Sequence, residues 1–266
     1  MAAKQAGRIV LALGLLLASG GLAAARAESA VTPDRPGVTD STHTVLLGAF
    51  QIEGGLEYAR TNVAASPAER RLAVQAALRV GLADRLEVRL EGEPLVRLRG
   101  AEEDTGHGDL TLGLRYRFLD APEGRWWPSL GAEPFVRLPI AHAPIGSERP
   151  DFGFLALASL DLPSQMSLDV NTGLVAVGQA CPNGYLLQAL TSASLERAIS
   201  ARLSGFVELF FASRGERDGR DALGLDAGLV YLLTRRVALD VSVGTGLNGR
   251  GPEYLFRAGG SARFGR

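Results

Sequence analysis

The chain has 266 residues, 46% hydrophobic and 21% charged, with a formal net charge of -1. That balance supplies no bulk positive field, so a nucleic-acid partner is not expected. The one cysteine, Cys181, excludes an intrachain disulfide and reads as a loop thiol without a role.

The N-terminus carries Lys4 and Arg8, then an apolar run over residues 9–17, then Ala25-Arg26-Ala27. This is the pattern of a secretory signal peptide over residues 1–27, cleaved after Ala27. An uncleaved anchor is the alternative, but the apolar run is too short to span a bilayer. No cysteine sits at the cleavage region, so lipoprotein processing is not expected. Residues 28–48 form a lead-in. Its stretch "TPDRPGVTDS", residues 32–41, holds Pro33, Pro36 and Gly37, which disfavour a regular element.

From Ala49 onward the apolar residues fall at every second position, the period of a strand with one oily and one polar face. The first segment, "AFQIEGGLEYAR", sets Phe50, Ile52, Leu56 and Tyr58 against Gln51, Glu53 and Glu57. The second, "RLAVQAALRVGL", opposes Leu72, Val74, Leu78, Val80 and Leu82 to Arg71, Gln75 and Arg79. The third, "LEVRLEGEPLVRLR", opposes leucines and valines to Glu87, Arg89, Glu91, Glu93 and Arg97. The fourth, "GDLTLGLRYRF", puts Leu110, Leu112, Leu114, Tyr116 and Phe118 opposite Arg115 and Arg117. The fifth, about residues 128–138, contains Pro134, which removes a ladder donor and predicts a bulge. A sixth covers about 152–162. The seventh, "MSLDVNTGLVAV", carries Asp169 and Asn171 on its polar face. Five more follow, near 185–196, 201–212, 223–233, 237–247 and 254–264, with Arg202 and Glu208 on the polar face of the ninth.

Twelve such segments alternate between tight turns ("ADR", "PSQ", "RAI", "TRR") and longer polar or Gly/Pro-rich loops. Only "LDAPEGR" is longer than this rhythm predicts. A soluble sandwich also alternates, with its oily face inward. The export signal, the even count, the turn rhythm and the mixed-sign polar faces predict the inverse: an up-and-down antiparallel β-barrel of about 12 strands over residues 49–266, oily face to lipid and charged face to a lumen. Aromatics are only 6% of the chain. Phe118, Trp126 and Trp127 around one turn, and Phe210 and Phe211 at the end of the ninth segment, are expected in thin interfacial girdles. The last segment ends on Phe264, with Gly265 and Arg266 beyond it.

The motifs "DRPGVTDS" and "GDLTLGLRYRF", with the closing "GLNGRGPEYLFRAGGSARF", resemble the outer-membrane family labelled for the MetA-pathway of phenol degradation. The resemblance spans the mature chain. It implies a monomeric transmembrane barrel in the outer membrane of a Gram-negative cell, passing small aromatic or hydrophobic compounds. It carries no agreed set of functional residues.

The candidate pathway lining is the set of polar-face charges: Glu53, Glu57, Arg79, Glu87, Arg89, Glu91, Arg115, Arg117, Asp169, Glu208, Asp240 and Arg257. They either line a solute path or pair into a network that fills the barrel. The lead-in, lying at the periplasmic end, either enters the lumen and constricts it through Asp34, Arg35 and Asp40, or only caps the barrel. A channel without energy coupling of its own is the expected function. The alternatives are a non-transporting structural or surface-interaction barrel and, last, a barrel-embedded lipid hydrolase. The hydrolase would rest on Ser147 five residues beyond His142, with no third orienting group in sight. His43 and His107 add nothing to it. Glu102, Glu103 and Asp104 read as a solvated acidic loop rather than a divalent-cation site. No catalytic residue, metal or cofactor is expected. The expected partners are outer-membrane lipid, a small-molecule solute and the barrel-assembly machinery.

Overall fold

The computed structural model describes residues 30–62, 67–122, 126–180, 182–249 and 251–265. The signal peptide expected over residues 1–27 and Cys181 lie outside them. Alternating side chains build β1 (Phe50–Thr61), β2 (Glu69–Ala83), β3 (Leu86–Arg99), β4 (Asp104–Gly106), β5 (Leu110–Leu119), β6 (Ser129–Leu138) and β7 (Asp151–Leu162). They continue as β8 (Met166–Gln179), β9 (Gly184–Ala198), β10 (Leu203–Ala212), β11 (Ala222–Thr234), β12 (Val237–Gly246) and β13 (Tyr254–Phe264).

Every ladder is antiparallel between neighbours in sequence, and β13 returns to β1, from Phe50↔Phe264 to Arg60↔Tyr254. That contact closes the sheet. β4 and β5 are two pieces of one barrel strand: β4 pairs Gly106 with Val96, β5 pairs Leu110 with Gly92, and the register is continuous across the gap. The gap faces Pro94, whose nitrogen has no hydrogen to give. The result is a closed 12-strand barrel.

All twelve expected segments are strands. Pro134 is handled differently from expectation. β5 and β6 stay in register past it, and pairing is merely skipped between Gly113↔Phe135 and Tyr116↔Ala132. The bulge falls instead between Arg117 and Leu119. A missing donor costs one ladder bond here without requiring an extra residue.

The burial pattern is inverted relative to a soluble protein. Arg79, Glu87, Arg115, Glu208 and Asp151 are 0% exposed, while Leu56 is 55% and Leu187 64% exposed. Charges lie inside and leucines outside, as the hydrocarbon of a bilayer demands. Exposed aromatics gather at both rims. Phe50 stacks on Phe264 with centroids 5.0 Å apart, and Trp126, Trp127 and Phe118 are exposed at the same short-turn end. Tyr58–Tyr254 and Phe152–Tyr185 mark the long-loop end.

One expected girdle residue is not there. Phe210 points into the barrel, beside Glu57 and Arg257, because neighbouring side chains on a strand face opposite ways and Phe211 takes the outer side. We expect Leu112→Arg, on the outer face between Leu90 and Val136, to abolish assembly. A charge near the bilayer midplane costs about 2–4 kcal/mol. Folded barrel in the outer-membrane fraction, at the parent level, would contradict the assignment of that face to lipid.

Candidate functional site: the lumen and its N-terminal segment

Residues 30–45 lie inside the barrel at the short-turn end, and 46–49 run along the end of β2 at the rim into β1. Val31 packs on Val230, Ala238 and Leu232, and its N–H donates to Arg235 O at 2.8 Å. The segment then crosses the lumen to β10, β8 and β7 and returns past β3 and β2 into β1. Its backbone is irregular, so its N–H groups need partners from the wall. Wall side chains supply them. Glu53 accepts from Arg35 N at 3.1 Å, and Glu208 from Val38 N at 2.7 Å and from Thr39 N. Asn171 accepts from Asp40 N at 2.7 Å, Ser159 from Thr42 N at 2.8 Å, and Glu87 from Val45 N at 2.7 Å.

The side chains of the segment meet the opposite charges. Arg79 and Arg89 stand directly opposite each other in the β2–β3 ladder, an unfavourable like-charge pair if left alone. Asp34 Oδ2 bridges them, 2.8 Å from Arg79 Nη1 and 3.1 Å from Arg89 Nη1, and reaches Arg115 Nη1 at 2.8 Å. Asp40 Oδ2 adds contacts to Arg89 at 3.2 Å and Arg115 at 2.9 Å. Burial pushes the Asp40 carboxyl above the ordinary aspartate range, and Arg89 pulls it back. Arg35 reaches Gln75 at 2.5 Å and Asp240 at 3.4 Å. Gly55 and Gly259 make that position possible. A Cβ on Gly55 would stand 2.3 Å from Arg35 Nη2, and one on Gly259 2.8 Å from it.

Glu53, Arg79, Glu87, Arg89 and Arg115 thus join Asp34 and Asp40 in one network. Glu57 and Arg257 form a second, nearer the long loops, with Arg71 and Asp226. Glu91 pairs with Arg89, and Asp169 holds Ser159. Arg117 stands apart at the short-turn rim, 2.9 Å from Asp120.

The sequence reading passed over Glu133, which takes Arg115 Nε at 2.7 Å and Arg89 Nη1 at 3.2 Å. It also missed Asp226, 2.7 Å from Arg257. Both obey the same two-residue period as the charges that were found. Glu133 was obscured by Pro134 beside it, and Asp226 by the apolar strand around it.

Above the segment lies a cavity of about 650 Å³, floored by Asp34, Arg35, Pro36 and Asp40 and walled by Arg71, Glu91, Glu93 and Arg137. The loop of residues 139–150 leans over it through Ile145. Asp109 pins that loop, accepting from Ala141 N at 3.1 Å and from Ser147 N and Oγ at 2.8 Å. The Ser147 hydroxyl also lies 2.8 Å from Arg149 O. Its described partners are therefore Asp109 and that carbonyl, while His142 is exposed. Among the described residues no group of three His, Cys, Asp or Glu side chains is placed to hold a metal ion.

Residues 33–264 match the family described as "Putative MetA-pathway of phenol degradation". The chain belongs to this family. The match begins within the lumenal segment, so the segment and the barrel fall under one family pattern. No curated protein matches the sequence. Among solved structures, the barrel is similar to an outer membrane channel from Pseudomonas putida F1, at 17% identity and a TM-score of 0.68, covering 88% of this chain and 100% of that one. It is also similar to the NanC porin, at 11% identity and a TM-score of 0.53, covering 80% and 98%. The KdgM porin in complex with disordered oligogalacturonate gives 10% identity and a TM-score of 0.52, covering 80% and 99%. These likenesses establish the fold, an outer-membrane β-barrel.

Removing one partner of a buried ion pair costs about 3–5 kcal/mol, because the other charge stays buried. Asp34→Ala takes a shared carboxylate from three buried guanidinium groups, but Arg79 keeps Glu53 and Glu87, Arg89 keeps Asp40, Glu91 and Glu133, and Arg115 keeps Asp40 and Glu133. We therefore expect a loss below that range, about 1–3 kcal/mol, in urea unfolding of the refolded barrel. Asp120→Ala, at the exposed rim, should change it by less than about 1 kcal/mol.

Proposed function

We propose that the protein is an outer-membrane channel that passes small solutes through the barrel lumen, with residues 30–45 as its constriction. The observation that carries this reading is the cavity of about 650 Å³ that ends on Asp34, Arg35 and Asp40. A solute entering past the long loops meets a charged vestibule and then the segment. Passage is down a concentration gradient, with no energy coupling by the barrel itself and no catalytic step. The description of the family supports small aromatic or hydrophobic solutes. The lining charges that face the cavity, Arg89, Glu91 and Arg257, are the groups such a solute passes. The barrel acts as a monomer in outer-membrane lipid, inserted by the barrel-assembly machinery.

A second reading has its own observation. The short-turn half of the lumen is filled by the segment and its ion pairs, as in a barrel that serves as a structural or surface-interaction protein. Planar-bilayer recording separates the two. On the channel reading the full chain gives small conductance steps, and deletion of residues 30–46 enlarges them several-fold. Unchanged steps after deletion contradict the constriction. No current from either form, with no solute uptake, leaves the second reading.

A further inference from the structure

Phe210 lies on the polar side of the barrel wall, where an aromatic ring has no lipid to face. β10 and β11 pair it directly with Gly224. A Cβ on Gly224 would come within 2.2 Å of Phe210 Cζ. The ring therefore lies flat on the glycine, one face against the wall and the other toward the lumen. Ala59 and Leu255, both at most 8% exposed, and Pro252 extend this apolar floor. Together they line a cavity of about 250 Å³ in the long-loop half of the barrel.

The edge of the cavity is polar. Glu57 accepts from Arg71 at 3.0 Å and from Arg257 at 2.9 Å. Arg71 is also paired with Glu93, and Arg257 with Asp226 at 2.7 Å. Each guanidinium is thus matched by carboxylates, and the edge has no surplus positive charge to draw an anion. It offers donors and acceptors side by side. An apolar cavity of about 150 Å³ is large enough for benzene, so this one takes a single ring with substituents.

We propose that the shelf formed by Phe210, Ala59, Leu255 and Pro252 is a binding subsite for a neutral, hydroxylated single-ring aromatic. The ring stacks on Phe210, and the hydroxyl is directed at the Glu57–Arg257 edge, where it donates to a carboxylate or accepts from a guanidinium. The proposal rests on the channel reading only for why a solute arrives there.

The test is fluorine NMR of 4-fluorophenol with the full chain in lipid nanodiscs, in wild type, Phe210→Ala and Phe210→Leu. Barrel closure of each is checked by heat-modifiable gel mobility. Subtracting a variant's signal removes partitioning into lipid. Loss of the stacked face should weaken binding about tenfold in Phe210→Ala. Phe210→Leu fills the same space without a ring face and should also weaken binding, which keeps the test open if the alanine variant fails to close. Fluorobenzene and 4-fluorobenzoate should both bind wild type more weakly than 4-fluorophenol. Equal binding by wild type and the folded variants overturns the subsite, and equal binding of 4-fluorobenzoate overturns its preference for a neutral ring. A barrel that shows Phe210-dependent binding without conductance sinks the channel reading alone. One that conducts without such binding sinks this proposal alone.

Discussion

Hydrocarbon offers no hydrogen bonds, so every backbone N–H and C=O within it must be met by another strand. The β1–β13 ladder is where that condition is completed, because it gives each edge of the sheet a partner. The rest follows from the closed ring. The outer half of each strand's side chains must be apolar, so the polar half has only the lumen. There charges stand at cross-strand spacing, about 4.5–5.5 Å apart, close enough for each to need an opposite neighbour. Arg79 opposite Arg89 is a like-charge conflict within the ladder. The wall answers each one separately, Arg79 with Glu53 and Glu87 and Arg89 with Glu91 and Glu133, and none of these carboxylates bridges the two.

The N-terminal segment fits that conflict. The basic groups Arg79, Arg89 and Arg115 sit on adjacent strands β2, β3 and β5. Acidic groups Glu208, Asp226 and Asp240 sit on β10, β11 and β12 across the lumen. The segment presents carboxylates to the first wall and backbone N–H groups, with Arg35, to the second. A regular helix or hairpin would have spent those N–H groups internally. Pro33, Pro36 and Gly37 therefore have a structural purpose: they keep the backbone irregular and its donors free for the wall. Gly37 also lets the chain press close to its acceptor, since a Cβ there would stand 3.2 Å from Glu208 Oε1.

The barrel was legible because lipid imposes a strict period of two, and a period survives in a single sequence. Strand number, turn rhythm and the facing of most strand charges followed from it. The period breaks at the β2–β3 irregularity beside Pro94: Arg97, expected on the polar face with Glu93, pairs with the outward Leu72, and Val96, expected outside, is buried. Which charges pair was not legible. Asp34 with Arg115, or Glu133 with Arg89, depends on register between strands and on the path of an irregular segment, and neither leaves a periodic trace. Phe210 is a different case. It shares the parity of Glu208, so the period that assigned Glu208 to the lumen also assigned Phe210. The expectation of a girdle rested on its place at a strand end, which is the weaker signal.

Phe210 is not an isolated exception to the polar interior. Phe135 lies on Gly153 and Phe206 on Gly228, each ring over the glycine paired with it across the ladder. A glycine on the inner face leaves bare backbone, and a neighbouring ring laid across it buries one of its own faces without entering the lumen. This explains how aromatic residues are tolerated on the wall that carries the barrel's buried charges. The two rings on β10 nevertheless have different surroundings. Phe206 is 5% exposed, enclosed in the wall. Phe210 is farther along the same strand, toward the long loops, where the segment no longer fills the barrel. The same construction is therefore packing in the filled half and accessible apolar surface in the open half, and it is the depth of the N-terminal segment that decides which.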